Sequence, residues 1–83
     1  MLPKDWLTEQ ITVAEAEERN MIRGISFGFC HDEWQAFTGQ MQPDDELWSF
    51  FSPPEIWRSL CGRAGFAVVR NGEAVRCFMT MLN

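Results

Sequence analysis

Asn71-Gly72 stands between RAGFAVVR and EAVRCFMTML, two runs of mainly apolar residues. Both central positions of a type I′ turn need positive φ, which asparagine and glycine reach at least cost, so the dipeptide predicts a two-residue hairpin. A turn of that length fixes the pairing. It sets Arg70 against Glu73, Val68 against Val75, Phe66 against Cys77 and, by extrapolation, Ala64 against Met79. These residues form the face expected to meet the core, while Val69 with Ala74 and Ala67 with Arg76 occupy the other. The second arm is the longer and more apolar. It is expected in the middle of the sheet, between the 65–70 strand and a strand over 47–51. A slip of one residue would exchange the two faces.

Upstream, Ser52-Pro53-Pro54-Glu55 has the pattern of a capping box with proline at the first helical position. It predicts a helix running to Cys61, with Ile56, Trp57 and Leu60 buried and Gly62 as its stop. Thr12 and Glu15 form a second capping box, opening a helix over 13–23 that Gly24 ends, with Glu15 and Arg19 four apart along it. Asp32 caps a further helix whose Trp34, Phe37 and Met41 fall on one stripe. Residues 25–29 read as a short strand weakened by Gly28, residues 42–46 as a loop, and the first ten residues as a helical turn anchored by Trp6 and Leu7. The expected class is α+β: N-terminal helices followed by a βαββ unit with a small, mainly antiparallel three-stranded sheet, in a single domain over residues 1–83.

A chain of 83 residues removes only about 60% of its unfolded surface from water. Hydrophobic residues make up 46% of it, including four Trp, seven Phe and five Met, a large apolar load for a small interior. The surplus is expected to face another chain, in a homodimer or a complex with another protein. Trp48, Val69 and Phe78, read as one sheet face, are the expected contact area.

The formal charge of −5 opposes a role at nucleic acid or a membrane surface, where affinity needs clustered Lys and Arg. Charge is also unevenly placed: residues 1–54 hold three basic and ten acidic side chains, and residues 55–83 four basic and two acidic. No window approaches 18 uncharged apolar residues, so no membrane span is expected. Three cysteines without CxxC spacing, and a start that lacks a signal-peptide apolar run, point to a reduced, cytoplasmic protein.

The densest cluster of reactive types is Cys30-His31-Asp32-Glu33. Adjacent residues rarely share one ion, so neither a metal site nor a cofactor is expected. A nucleophilic cysteine needs a positive neighbour to stabilise its thiolate. Cys61 falls at a helix C-terminus, Cys77 in the expected core, and Cys30 beside acids. Gly62-Arg63-Ala64-Gly65 follows a helix rather than leading into one, which is the wrong end for binding phosphate. The carboxylate pairs are adjacent in sequence and point different ways. The leading expectation is therefore a non-enzymatic interaction or regulatory module that self-associates. The alternative is a small enzyme or ligand binder whose pocket, formed between subunits, draws on Cys30, His31, Arg58 and Arg63. A third is an acidic inhibitor that presents residues 9–46 to a basic target.

Overall fold

A 3-10 turn at Lys4–Trp6 leads directly into a strand, β1 (Leu7–Ile11), where the sequence suggests only a helical turn. Thr12 then caps α1 (Val13–Arg19): its hydroxyl accepts from the Glu15 amide, and the Glu15 carboxylate accepts from the Thr12 amide. This reciprocal pairing is the expected capping box. The helix ends four residues early. Asn20 donates its side-chain amide to the Ala16 carbonyl, and the chain turns back as a two-residue hairpin, β2 (Met21–Ile22) and β3 (Ile25–Ser26). Gly24 serves that hairpin turn instead of ending a helix. After a 3-10 turn at Gly28–Cys30 come α2 (His31–Gly39), β4 (Glu46–Phe51), the short α3 (Pro54–Arg58), β5 (Arg63–Arg70) and β6 (Glu73–Leu82). The computed structural model describes residues 2–82.

The main sheet has four strands in the order β1-β4-β5-β6, every neighbouring pair antiparallel. The expected three-stranded sheet behind N-terminal helices is thus corrected: a strand precedes the first helix, and a second, two-stranded sheet stands apart. β5, not β6, is central. Its eight residues are buried except at the two ends, whereas most of β6 is exposed. The sequence misleads here because β6 is the more apolar to read, yet much of that apolar surface stays in water.

The hairpin begins in the expected register, with Asn71 and Gly72 both at positive φ and Arg70 opposite Glu73. Then it shifts. Val69 faces Ala74 but Val68 faces Arg76, so Val75 is an extra residue in β6. A bulge of this kind reverses the face of everything beyond it. Phe78, instead of Cys77, comes opposite Phe66 and enters the core, while Cys77 turns outward. A second shift, at Thr80, puts Met81 opposite Ala64 and Met79 opposite Gly65.

On one face of the sheet, α1 and α2 cover Ile11, Leu47, Phe66 and Val68. Phe27 stacks on Trp34 with ring centroids 4.1 Å apart, and Phe66 and Phe78 meet both rings edge-on. Trp34 is fully buried, and its indole N–H donates to Glu17 of α1 at 2.9 Å, so its one polar atom is satisfied. Arg76 donates to the Phe37 carbonyl near the end of α2 and lies over the Phe37 ring, 5.1 Å from its centroid. The opposite face has a smaller cluster, Phe50, Ala67 and Ala74, covered by Leu2, Trp6 and Leu7. The molecule is accordingly thin, 33 × 32 × 17 Å.

Two substitutions test this core. A Cβ at Gly65 would lie 2.0 Å from the Phe78 carbonyl oxygen, so Gly65→Ala forces β5 and β6 apart and is expected to cost about 1–3 kcal/mol in denaturant unfolding. Trp34→Ala leaves a cavity beneath four aromatic rings and is expected to cost about 3–5 kcal/mol, enough to unfold a domain of marginal stability.

Candidate functional site

Ile22 and Ile25 face each other across the β2–β3 hairpin, yet they are 57% and 49% exposed. Arg23 and Gly24 make the turn with φ of 52° and 80°. Positive φ at both positions suits the twist of a two-residue hairpin, but it strains a residue with a long side chain such as arginine. Phe27 also has positive φ, at 61°, and there the aromatic core holds it in place. The next turn, Gly28–Cys30, leaves Phe29 fully in water.

These side chains form one ledge. Ile22, Ile25 and Phe29 line a shallow groove with Arg23 and Gly28. Ile22 also borders a neighbouring groove that includes Cys30, Phe78, Met79 and Thr80. The hairpin therefore lies alongside β6, whose Val75, Met79, Met81 and Leu82 are all more than a third exposed. A two-stranded hairpin is marginal in water unless its apolar face is covered. This one keeps its cross-strand isoleucine pair outside.

The residues singled out as a contact area do not share a face. Trp48, half-buried, pairs with Ala67 and lies on the thinly covered side of the sheet, where its indole N–H donates to Glu46. Val69 is buried on that same side. Phe78 is turned to the other side by the extra residue at Val75. All the aromatic rings except Phe29 and Phe51 are buried or half-buried, so the surplus apolar surface is chiefly aliphatic and methionine.

The alternative pocket is dispersed as well. His31 Nδ1 lies 3.0 Å from the Ser26 carbonyl and 3.1 Å from its hydroxyl. Both contacts hold that ring nitrogen against Ser26. Arg58 ends α3, and Arg63 begins β5 with its side chain donating to the Gly62 carbonyl and its amide to the Ser52 hydroxyl. That hydroxyl is the one expected to cap α3; the helix instead starts from Pro53 without a side-chain cap and stops after five residues, with Leu60 exposed. Cys30, Cys61 and Cys77 are free and exposed, which corrects the burial expected of Cys77. Among the described residues no three His, Cys, Asp or Glu side chains gather as a metal site would require.

The shifted ionisations belong to structural pairs. Hydrogen bonds from Thr12 lower Glu15, and Glu9 raises Arg19 across a 2.7 Å ion pair. Arg70 grips Asp45 through two bonds of 2.8 and 2.9 Å, tying the loop before β4 to the end of β5 and holding the carboxyl down to about 2, from the usual 3.8. Each shift favours the charged form of a paired group. A general acid or base needs a pKa moved toward neutrality instead.

No protein-family model matches the chain, and neither a curated protein nor a solved structure matches it. Among the described residues no helix is long and apolar enough to cross a membrane.

Because Asp45 ionises more readily folded than unfolded, its contribution is fully present above about pH 4 and is lost as pH falls through about 2. Asp45→Asn is expected to be less stable than the parent at pH 7, with the gap closing between pH 4 and pH 2. Urea melts of both chains at each pH check this.

Proposed function

We propose that the protein is a non-enzymatic interaction module that self-associates, and that its contact surface is the ledge formed by the β2–β3 hairpin rather than the Trp48 side of the sheet. The observation that carries this reading is the exposure of Ile22 and Ile25 of the hairpin and Phe29 of the following turn around one groove. Covering each large apolar side chain is worth about 1.5–3 kcal/mol, so a chain that leaves three of them in water forgoes stabilisation that a partner can supply. Backbone strain at Arg23 belongs to the same picture, since strained conformations gather at binding segments. Phe29 and the exposed Met21 of β2 are of the residue types enriched at interface centres.

Polar chemistry does not compete with this reading. His31, Arg63 and Arg70 are each engaged by structural partners, and Cys30 stands in the open without a cation hydrogen-bonded to it among the described residues. Three exposed free thiols fit a reducing compartment, in keeping with a cytoplasmic module.

Phe29→Asp places a charge at the middle of the ledge on a side chain that touches no core. The variant is expected to melt as cooperatively as the parent and to self-associate at least tenfold more weakly by sedimentation velocity. An unchanged association constant would overturn the ledge as the contact.

A further inference from the structure

The two edges of the main sheet are built differently. β1 has five residues, is interrupted by a bulge at Thr8 and carries Glu9, which is salt-bridged to Arg19. Short length, a bulge and charge are the devices that keep an edge from pairing with another chain. β6 is the longest strand at ten residues and has neither lysine nor proline; its pairing with β5 also shifts at Val75 and Thr80, so the difference from β1 lies in length and in charge, which is absent from Cys77 to Leu82. Among the described residues its outer side has no strand beside it in the sheet. A row of unpaired amides and carbonyls flanked by apolar side chains is a template for an added strand.

We propose that a second copy of this chain fills that place, with β6 pairing antiparallel to β6 over Cys77–Leu82 about a two-fold axis. The inference rests on the self-association reading and names its mode. Pairing two copies of this segment antiparallel sets Cys77 opposite Leu82, Phe78 opposite Met81 and Met79 opposite Thr80, so no like charges meet. A pairing centred four residues earlier, between Val75 and Arg76, would bring the two Arg76 side chains close together. The whole chain carries −5, but β6 itself holds one acid and one base, so the approach of two edges meets little local repulsion. Ile22 borders Met79 and Thr80, hence a strand added along β6 also lies beside the ledge. Taking about 200 Å² for a large side chain, the exposed fractions of Met21, Ile22, Ile25, Phe29, Met79, Met81 and Leu82 amount to about 800 Å². Burying all of that surface, which lies on both faces of the sheet, would match the area each partner contributes to a stable interface of ordinary size.

Sedimentation velocity and amide hydrogen exchange on the full chain and on Met79→Lys/Met81→Lys test the proposal. Both methionines are about half exposed, so the lysines are accommodated in the monomer, and a cooperative melt checks that. The parent is expected to dimerise, with exchange over 77–82 slowing at concentrations where the dimer forms. The double variant is expected to dimerise at least tenfold more weakly and to lose the concentration dependence. A dimer unaffected by the lysines, with 77–82 exchanging at the same rate at every concentration, would overturn edge pairing and leave the self-association reading standing. A parent that remains monomeric at millimolar concentration removes both.

Discussion

One inserted residue, Val75, decides which side of β6 belongs to the interior. Without it, strict alternation from the Asn71-Gly72 turn would send Val75, Cys77 and Met79 inward beside Phe66 and Val68. With it, Arg76 and Phe78 point inward instead. Phe78 then closes the ring of Phe27, Trp34, Phe37 and Phe66, and Arg76 reaches the last turn of α2. The helical layer is seated on the sheet through these contacts. A guanidinium at a helix C-terminus also meets the negative end of the helix dipole, which gives a charged residue a reason to lie on the inner face.

Much of this architecture was legible because it depends on local chemistry. The Thr12/Glu15 box, the Asn71-Gly72 turn and the Trp34/Phe37 part of the helical stripe each involve residues within a few positions of one another, and each appears in the structure where the residues place it; Met41 packs on the core from beyond the end of α2, and Asp32 lies inside that helix instead of capping it. What escaped is non-local. β1 has the polar sequence Thr8-Glu9-Gln10 at its centre, so nothing in its composition marks a strand; its partner β4, some forty residues away, makes it one. The bulge at Val75 follows from whole-sheet packing, and no turn residue announces it. Ser52 illustrates the competition between local and distant partners, since its hydroxyl is drawn from a helix cap to the Arg63 amide across the chain.

The ledge had a signal that a different weighting would have caught. Ile22-Arg23-Gly24-Ile25 is two isoleucines around a dipeptide ending in glycine, the outline of a tight hairpin, but the capping box upstream favours extending the helix through it. The total of apolar residues points toward a surplus of exposed aromatic surface, and the structure corrects its kind. Aromatic rings are rigid and large, and they found places in the core; the longer aliphatic and methionine side chains of β2, β3 and β6 were left outside. The division follows from thinness, because a sheet with helices on a single face offers one deep layer and one shallow one.

The strand order also fixes where the chain leaves the sheet. β1 and β6 form opposite rims, and with every neighbour antiparallel, Leu7 and Leu82 emerge at the same end. Tension applied through the two termini therefore acts across the strands and along the hydrogen bonds, loading them a few at a time instead of shearing whole ladders together. Such a sheet peels from its rims inward, which makes it mechanically soft whatever its stability at rest.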